Sequence, residues 1–121
     1  MSYQVITREE VLSFIKRAMT AIGANPSHAE ALAQVLVAGD YRGHYSHGLN
    51  RIEIYIKEIQ TKVCKSDGNP TILNETAAIA HVDGNNLLGP VVGQFSMNLA
   101  IKKAKECGIG FVTAKGKMKV K

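Results

Sequence analysis

The sequence has no tryptophan and only 6% aromatic residues, with three prolines and two cysteines. Cys64 and Cys107 form no Cys-x-x-Cys pair and read as free thiols, which excludes a disulfide framework and a cysteine-based zinc centre. No apolar run approaches the roughly 20 residues needed to span a bilayer. The start, Met1 to Thr7, lacks the basic residues and apolar centre of a signal peptide. A cytoplasmic protein without membrane attachment is therefore expected. The scarcity of aromatics also argues against nucleic acid, because such modules interleave Lys and Arg with stacking platforms on one folded face. The formal net charge of +5 owes four units to Lys115, Lys117, Lys119 and Lys121, which leaves a nearly neutral body. No nucleic-acid partner is expected.

What is present suits a small globular domain or a piece of a larger one: 121 residues, 45% hydrophobic and 21% charged. Thr7-Arg8-Glu9-Glu10 has the form of a capping box, followed by Val11, Ile15, Met19 and Ile22 at helical spacing and a stop at Gly23. Asn25-Pro26 opens a second helix, with Ala29, Leu32, Ala33 and Leu36 on its apolar side, running to about Tyr41. A third helix is expected to start at Ser46 and to bury Leu49, Ile52, Ile56 and Ile59. Residues 62–70 are polar and turn-rich and mark a boundary, dividing the chain into a helical segment, 1–66, and a second part, 67–121. Thr71–Asn74 and Ala77–Val82 read as a hairpin, and Asp83-Gly84-Asn85-Asn86 as a turn. Pro90 opens a further helix with Val92, Phe95, Leu99 and either Ile101 or the Lys102 stem inward. Gly108 closes it, and a buried strand follows at Ile109–Ala114. The expected fold class is mixed α+β.

The chemistry is concentrated between the second and third helices, in Asp40-Tyr41-Arg42-Gly43-His44-Tyr45-Ser46-His47-Gly48-Leu49-Asn50-Arg51. With Ser46 as N-cap, His47 falls in the first helical turn and Arg51 one turn later on the same face. Free N–H groups at that helix start, together with a guanidinium, would attract a small carboxylate. On spacing alone Ser46 could be only a cap, His47 a surface histidine, and Arg51 a partner of Tyr55 or Glu58. Asp40 and Arg42 read as locks of the helix junction, and Gly43 and Gly48 as points of close backbone approach. His44 and His47 at i+3 are too few ligands for a zinc site, so no metal is expected. Gly108-Ile109-Gly110 follows a helix and precedes a strand, the reverse of the dinucleotide fingerprint.

The order and spacing of Asp40-x-Arg42-Gly43, Ser46-His47-Gly48, Arg51, Pro70-x-Ile72, Glu75-Thr76, Val82-Asp83-Gly84-Asn85, Gly89-Pro90-Val91-Val92 and Ala104-Lys105-Glu106-x-Gly108-Ile109-Gly110 resembles the type-2 malate/L-lactate dehydrogenase family. These are NAD(P)-dependent oxidoreductases of 2-oxo, 2-hydroxy and cyclic imino acids, with a fold unrelated to the Rossmann type. The resemblance implies that His47 is the proton donor and Ser46 its relay, that Arg51 holds the substrate carboxylate, and that NAD or NADP is the cofactor. It also implies that 67–121 begins a non-Rossmann cofactor domain. Family members commonly continue Val-Thr-Ala-Lys-Gly with Ser-Asn-His and a long remainder that holds most cofactor contacts. Here Val112-Thr113-Ala114-Lys115-Gly116 is followed by Lys117-Met118-Lys119-Val120-Lys121, and the family's second histidine would fall at Lys119. The expectation is a truncated member that binds a nicotinamide dinucleotide poorly by itself. An exposed strand edge would make it a homodimer or an associate of a full-length relative.

Overall fold

The computed structural model describes residues 2–116 and divides the chain into two compact units, Met1–Val63 and Cys64–Lys121. The lysine-rich end, 117–121, which by its composition reads more as a solvated tail than as a continuation of the last strand, lies outside the described residues.

In the first unit, α1 (Arg8–Ala21) and α2 (Pro26–Tyr41) pack along each other, and α3 (Ile52–Gln60) follows two short 3-10 turns, Tyr45–His47 and Leu49–Arg51. The Thr7 hydroxyl accepts from the Glu10 N–H at 3.3 Å and caps α1. At the other end Gly23, at φ +91°, turns the chain so that the Ala24 N–H reaches the Met19 carbonyl. Asn25 caps α2 through the Ser27 N–H at 2.8 Å, with Pro26 in the first turn. Ile15 and Met19 from α1 meet Ala29, Leu32, Ala33 and Leu36 from α2, all buried. Each large side chain in this seam contributes roughly 1.5–3 kcal/mol by leaving water. Outside the seam, Lys16 pairs with Glu30 at 2.6 Å, and Gln34 bonds both Glu30 and Arg8. The Lys16 ammonium, with Gln34, holds the Glu30 carboxyl below its ordinary range.

Two expectations change in this unit. Ser46 does not start an α-helix: the chain makes two separate 3-10 turns broken at Gly48, and α3 begins only at Ile52. Of the third helix's apolar set, Ile59 is buried, whereas Leu49, Ile52 and Ile56 are half-buried.

In the second unit, β1 (Thr71–Glu75) and β2 (Ile79–Asp83) form an antiparallel hairpin with an irregularity between Ile72 and Asn74. Helix α4 (Gly89–Cys107) then carries the chain back so that β3 (Phe111–Lys115) lies parallel to β2, giving the order β1-β2-β3. A parallel neighbour needs such a crossover, and α4 supplies it. Gly108, at φ +94°, caps α4 through the Ala104 carbonyl. Two residues later β3 passes so close to α4 that a Cβ on Gly110 would overlap the Ala100 carbonyl. These requirements account for the Gly-Ile-Gly sequence without any phosphate. Ala80 and Val82 are buried beside Leu87 and Leu88.

The inward face of α4 is shifted from the expected one. Ile101 is 45% exposed and Lys102 is exposed, whereas Lys103 is buried at 5% exposure. Its Nζ donates to Glu75 at 2.8 Å and to the Thr76 carbonyl at 2.6 Å, pinning α4 to the hairpin end. Burial of this ammonium is tolerable because its donors find a carboxylate and a carbonyl. The last strand is also less covered than expected: Val112 is half-buried, while Phe111 is 62% exposed.

The Lys103 hydrogen bond and charge hold the Glu75 carboxyl below its ordinary value of 4.5. The pair's contribution is therefore present above that value and fades as pH falls through the lower folded value. Urea unfolding across pH should show a flatter acid limb for Glu75→Gln than for the wild type. Parallel limbs would show that the pair contributes nothing.

Candidate functional site

The site sits where α2 ends. Arg42 closes the helix by donating its N–H to the Ala38 carbonyl, and Gly43, at φ +80°, turns the chain back. The returning segment lies against the helix it has just left. A Cβ on Gly39 would stand 2.6 Å from the His47 carbonyl oxygen, and one on Gly48 would overlap the Asp40 carboxylate. That carboxylate accepts the Leu49 N–H at 2.9 Å. Asp40 thus locks the junction, as its position in the motif suggests, and it does so by capping the second 3-10 turn.

The lock displays three side chains. Ser46 Oγ and His47 Nδ1 lie 2.8 Å apart, so the serine orients the imidazole and does not cap a helix. Arg51 folds back to give its Nε–H to the Ser46 carbonyl at 2.6 Å. His47 and Arg51 are therefore joined through Ser46, not stacked on one face of a helix. Ser46 and His47 are exposed, and Arg51 is half-buried. An open cleft of about 470 Å³ runs beside His47, lined by Val35, Ala38, Gly39, Arg42, His44 and His47. Arg42 and His44 belong to this cleft although the sequence marked one as a lock and the other as an insufficient metal ligand. The signal was available in the spacing of Val35, Ala38, Gly39 and Arg42, which places them on one face of α2. Among the described residues, no three of His, Cys, Asp and Glu converge on a metal position, and no helix is long and apolar enough to cross a membrane.

In the second unit, the places where backbone N–H groups could meet a pyrophosphate are the start of α4 and the asparagine turn. The start of α4 has Pro90 without an N–H, and the Val91 and Val92 N–H groups turn toward the Leu88 carbonyl. In the asparagine turn, Gly84 donates to Lys115, Asn85 to Asp83 and Leu87 to Gly84. These three N–H groups are thereby unavailable to a pyrophosphate.

Comparison with known proteins places these features in context. The family model described as malate/L-lactate dehydrogenase matches residues 6–119. The malate/(S)-sulfolactate dehydrogenase of Methanothermus fervidus is 41% identical over 108 residues, covering 89% of this chain and 32% of that protein. An Escherichia coli O157:H7 ureidoglycolate dehydrogenase (NAD(+)) is 35% identical over 111 residues, 88% of this chain and 31% of that protein. The solved structure of Pyrococcus horikoshii OT3 malate dehydrogenase superposes with a TM-score of 0.89 at 38% identity, over 93% of this chain and 32% of that one. The chain spans about a third of the length of the relatives it matches.

Gly48→Ala should displace the Asp40 carboxylate from the Leu49 N–H and cost about 1–3 kcal/mol, the usual range for an overpacked or unsatisfied buried contact. Denaturant unfolding measures this loss. An unchanged midpoint would mean that the junction does not depend on the Asp40 contact.

Proposed function

The chain belongs to the malate/L-lactate dehydrogenase family, and from that premise we propose that it carries the substrate-binding and proton-transferring part of a cytoplasmic NAD(P)-dependent oxidoreductase of small 2-oxo and 2-hydroxy acids. The observation that carries this reading is the Ser46–His47–Arg51 arrangement, hydrogen-bonded in series beside an open cleft. In reduction, neutral His47 gives its Nε2 proton to the carbonyl oxygen of the substrate while its Nδ1 takes the proton of the Ser46 hydroxyl, and the exposed serine regains a proton from solvent. Arg51 spends only its Nε–H on Ser46, which leaves both terminal nitrogens for a carboxylate. Its backbone anchor keeps the carboxylate at a set distance from the imidazole.

Hydride transfer is assigned to none of the described residues. We place the cofactor contacts in the two thirds of the relatives' length that this chain does not match, with 67–121 as the opening part of that domain. A second reading is favoured by the uncovered apolar side chains of the sheet, with Ile79 50% and Phe111 62% exposed. In it the chain is catalytically silent and associates with itself or with a longer member of the family. Size-exclusion chromatography combined with NADH and NADPH oxidation assays separates the two readings. Turnover supports the first, and a silent oligomer the second.

Calorimetric titration with oxaloacetate should show saturable binding, and Arg51→Lys should weaken it about tenfold, because a point charge replaces a planar fork. Absence of binding heat at millimolar concentration would overturn the substrate assignment. Where turnover with NADH or NADPH is measured, His47→Ala should lower it by about 10²–10⁴-fold. Full activity in that variant would remove His47 from the chemistry.

A further inference from the structure

The turn that follows β2 borders a cavity of about 280 Å³, lined by Lys65, Asp83, Asn85, Asn86, Lys115 and Gly116. It lies at the carboxyl end of the parallel pair β2 and β3, where Asp83 and Lys115 are the last partners in register. The crossover helix α4 begins just beyond the same turn. The carboxyl ends of parallel strands joined by such a crossover are where open α/β sheets take their ligands. The acid in this cavity is already engaged: Asp83 Oδ1 accepts the Asn85 N–H at 2.9 Å, and Oδ2 meets Lys115 Nζ at 3.1 Å. Asn85 Nδ2 donates to the Asn69 carbonyl, 2.7 Å away, and ties the turn to the segment before β1. Lys65 is fixed to the same turn through its backbone N–H, which donates to the Asn86 carbonyl at 2.8 Å. The Lys65 ammonium and the Asn86 side-chain amide, by contrast, have no hydrogen bond or ion pair among the described residues.

We infer that this cavity is an oxyanion site for a phosphate group, held by Lys65, Lys115 and the Asn86 amide. It belongs to the second unit alone, and it does not depend on the roles given to His47 and Arg51. Two ammonium groups against one carboxylate leave the cavity with a surplus positive charge. Lys115 has three N–H donors and Asp83 engages it from one side, so the ammonium can be shared with a ligand oxygen. Lys65 adds a point charge with all its donors free, the form in which lysine commonly meets phosphate. The three groups come from separate stretches, the segment before β1, the turn after β2 and the end of β3, around one opening. A tetrahedral phosphate presents several acceptor oxygens in different directions and can accept from all three. A planar carboxylate, with two oxygens, cannot satisfy them together. The contacts are made by side chains, since the Gly84, Asn85 and Leu87 N–H groups are spent within the turn.

The test follows the side-chain amide signals of Asn85 and Asn86 in the full chain by NMR while inorganic phosphate is added at constant pH and ionic strength, with acetate as the carboxylate control. Phosphate should saturate these signals with a Kd of about 1 mM or tighter and bind about tenfold more tightly than acetate. Lys65→Gln should weaken phosphate about fivefold to tenfold, and because this side chain has no protein partner the variant keeps its fold. Asn86→Gly suits the φ of +60° at this position and should weaken phosphate about threefold by removing the amide alone. Lys102→Gln removes the same charge from an exposed position on α4 and should change binding by less than about twofold. AMP and adenosine identify the source of the group: AMP equal to phosphate assigns free phosphate, and AMP severalfold tighter assigns a phosphate monoester. Binding of adenosine as tight as that of AMP would overturn the oxyanion as the recognised group. No saturable response to phosphate, or equal losses in Lys65→Gln and Lys102→Gln, would overturn the site.

Discussion

The hydrogen bond from the Leu49 N–H to the Asp40 carboxylate organises the first unit's site, because it holds a non-helical segment against the end of the helix that precedes it. The segment between the end of α2 and the start of α3 cannot satisfy its backbone within one continuous helix. Two 3-10 turns do part of the work, and Asp40 supplies the acceptor that the second turn lacks. Charge-assisted bonds of this kind are worth roughly 1.5–3 kcal/mol, and leaving the N–H without a partner costs a similar amount. The bond is possible only because positions 39 and 48 carry no side chain where the two backbones meet. Ser46, His47 and Arg51 inherit their geometry from that contact.

The second unit uses a related device. Gly110 lets β3 pass against the Ala100 carbonyl of α4, and Lys103 reaches from the same helix to Glu75 and Thr76 at the hairpin end. A helix laid on a sheet is free to slide along it when only apolar contacts hold the two. A buried ammonium with two defined acceptors removes that freedom, since any shift would strand a charge away from water. The α4 side of the sheet is thereby closed, while Ile79 and Phe111 remain largely uncovered.

Much of the fold was legible in the sequence. The Thr7 and Asn25 caps, the Gly23 and Gly108 stops and the apolar stripe of α2 all depend on interactions within a few residues, and the structure has them where the sequence places them. The start of the third helix was not legible. Ser46 satisfies the local rule for an N-cap, yet its hydroxyl is taken by His47 and its carbonyl by Arg51, and the helix is delayed to Ile52. The inward residue of α4 was missed for a similar reason. Periodicity favoured Ile101 or Lys102, whereas Lys103 is buried because Glu75, 28 positions earlier, offers it a partner.

The sequence by itself determined the mixed α+β class, the order of the main elements and the membership of a dehydrogenase family, because caps, spacings and motif order are written along the chain. It also named Ser46, His47 and Arg51 as the chemical block. Only the tertiary structure decided how those three are connected, and only it brought Arg42 into the cleft of His47 while Arg51 turned toward Ser46. The physical reason is that a side chain's role depends on which acceptors come within hydrogen-bonding distance. Around this site those distances follow from the close approach of two glycine backbones, which helical spacing along the chain does not describe.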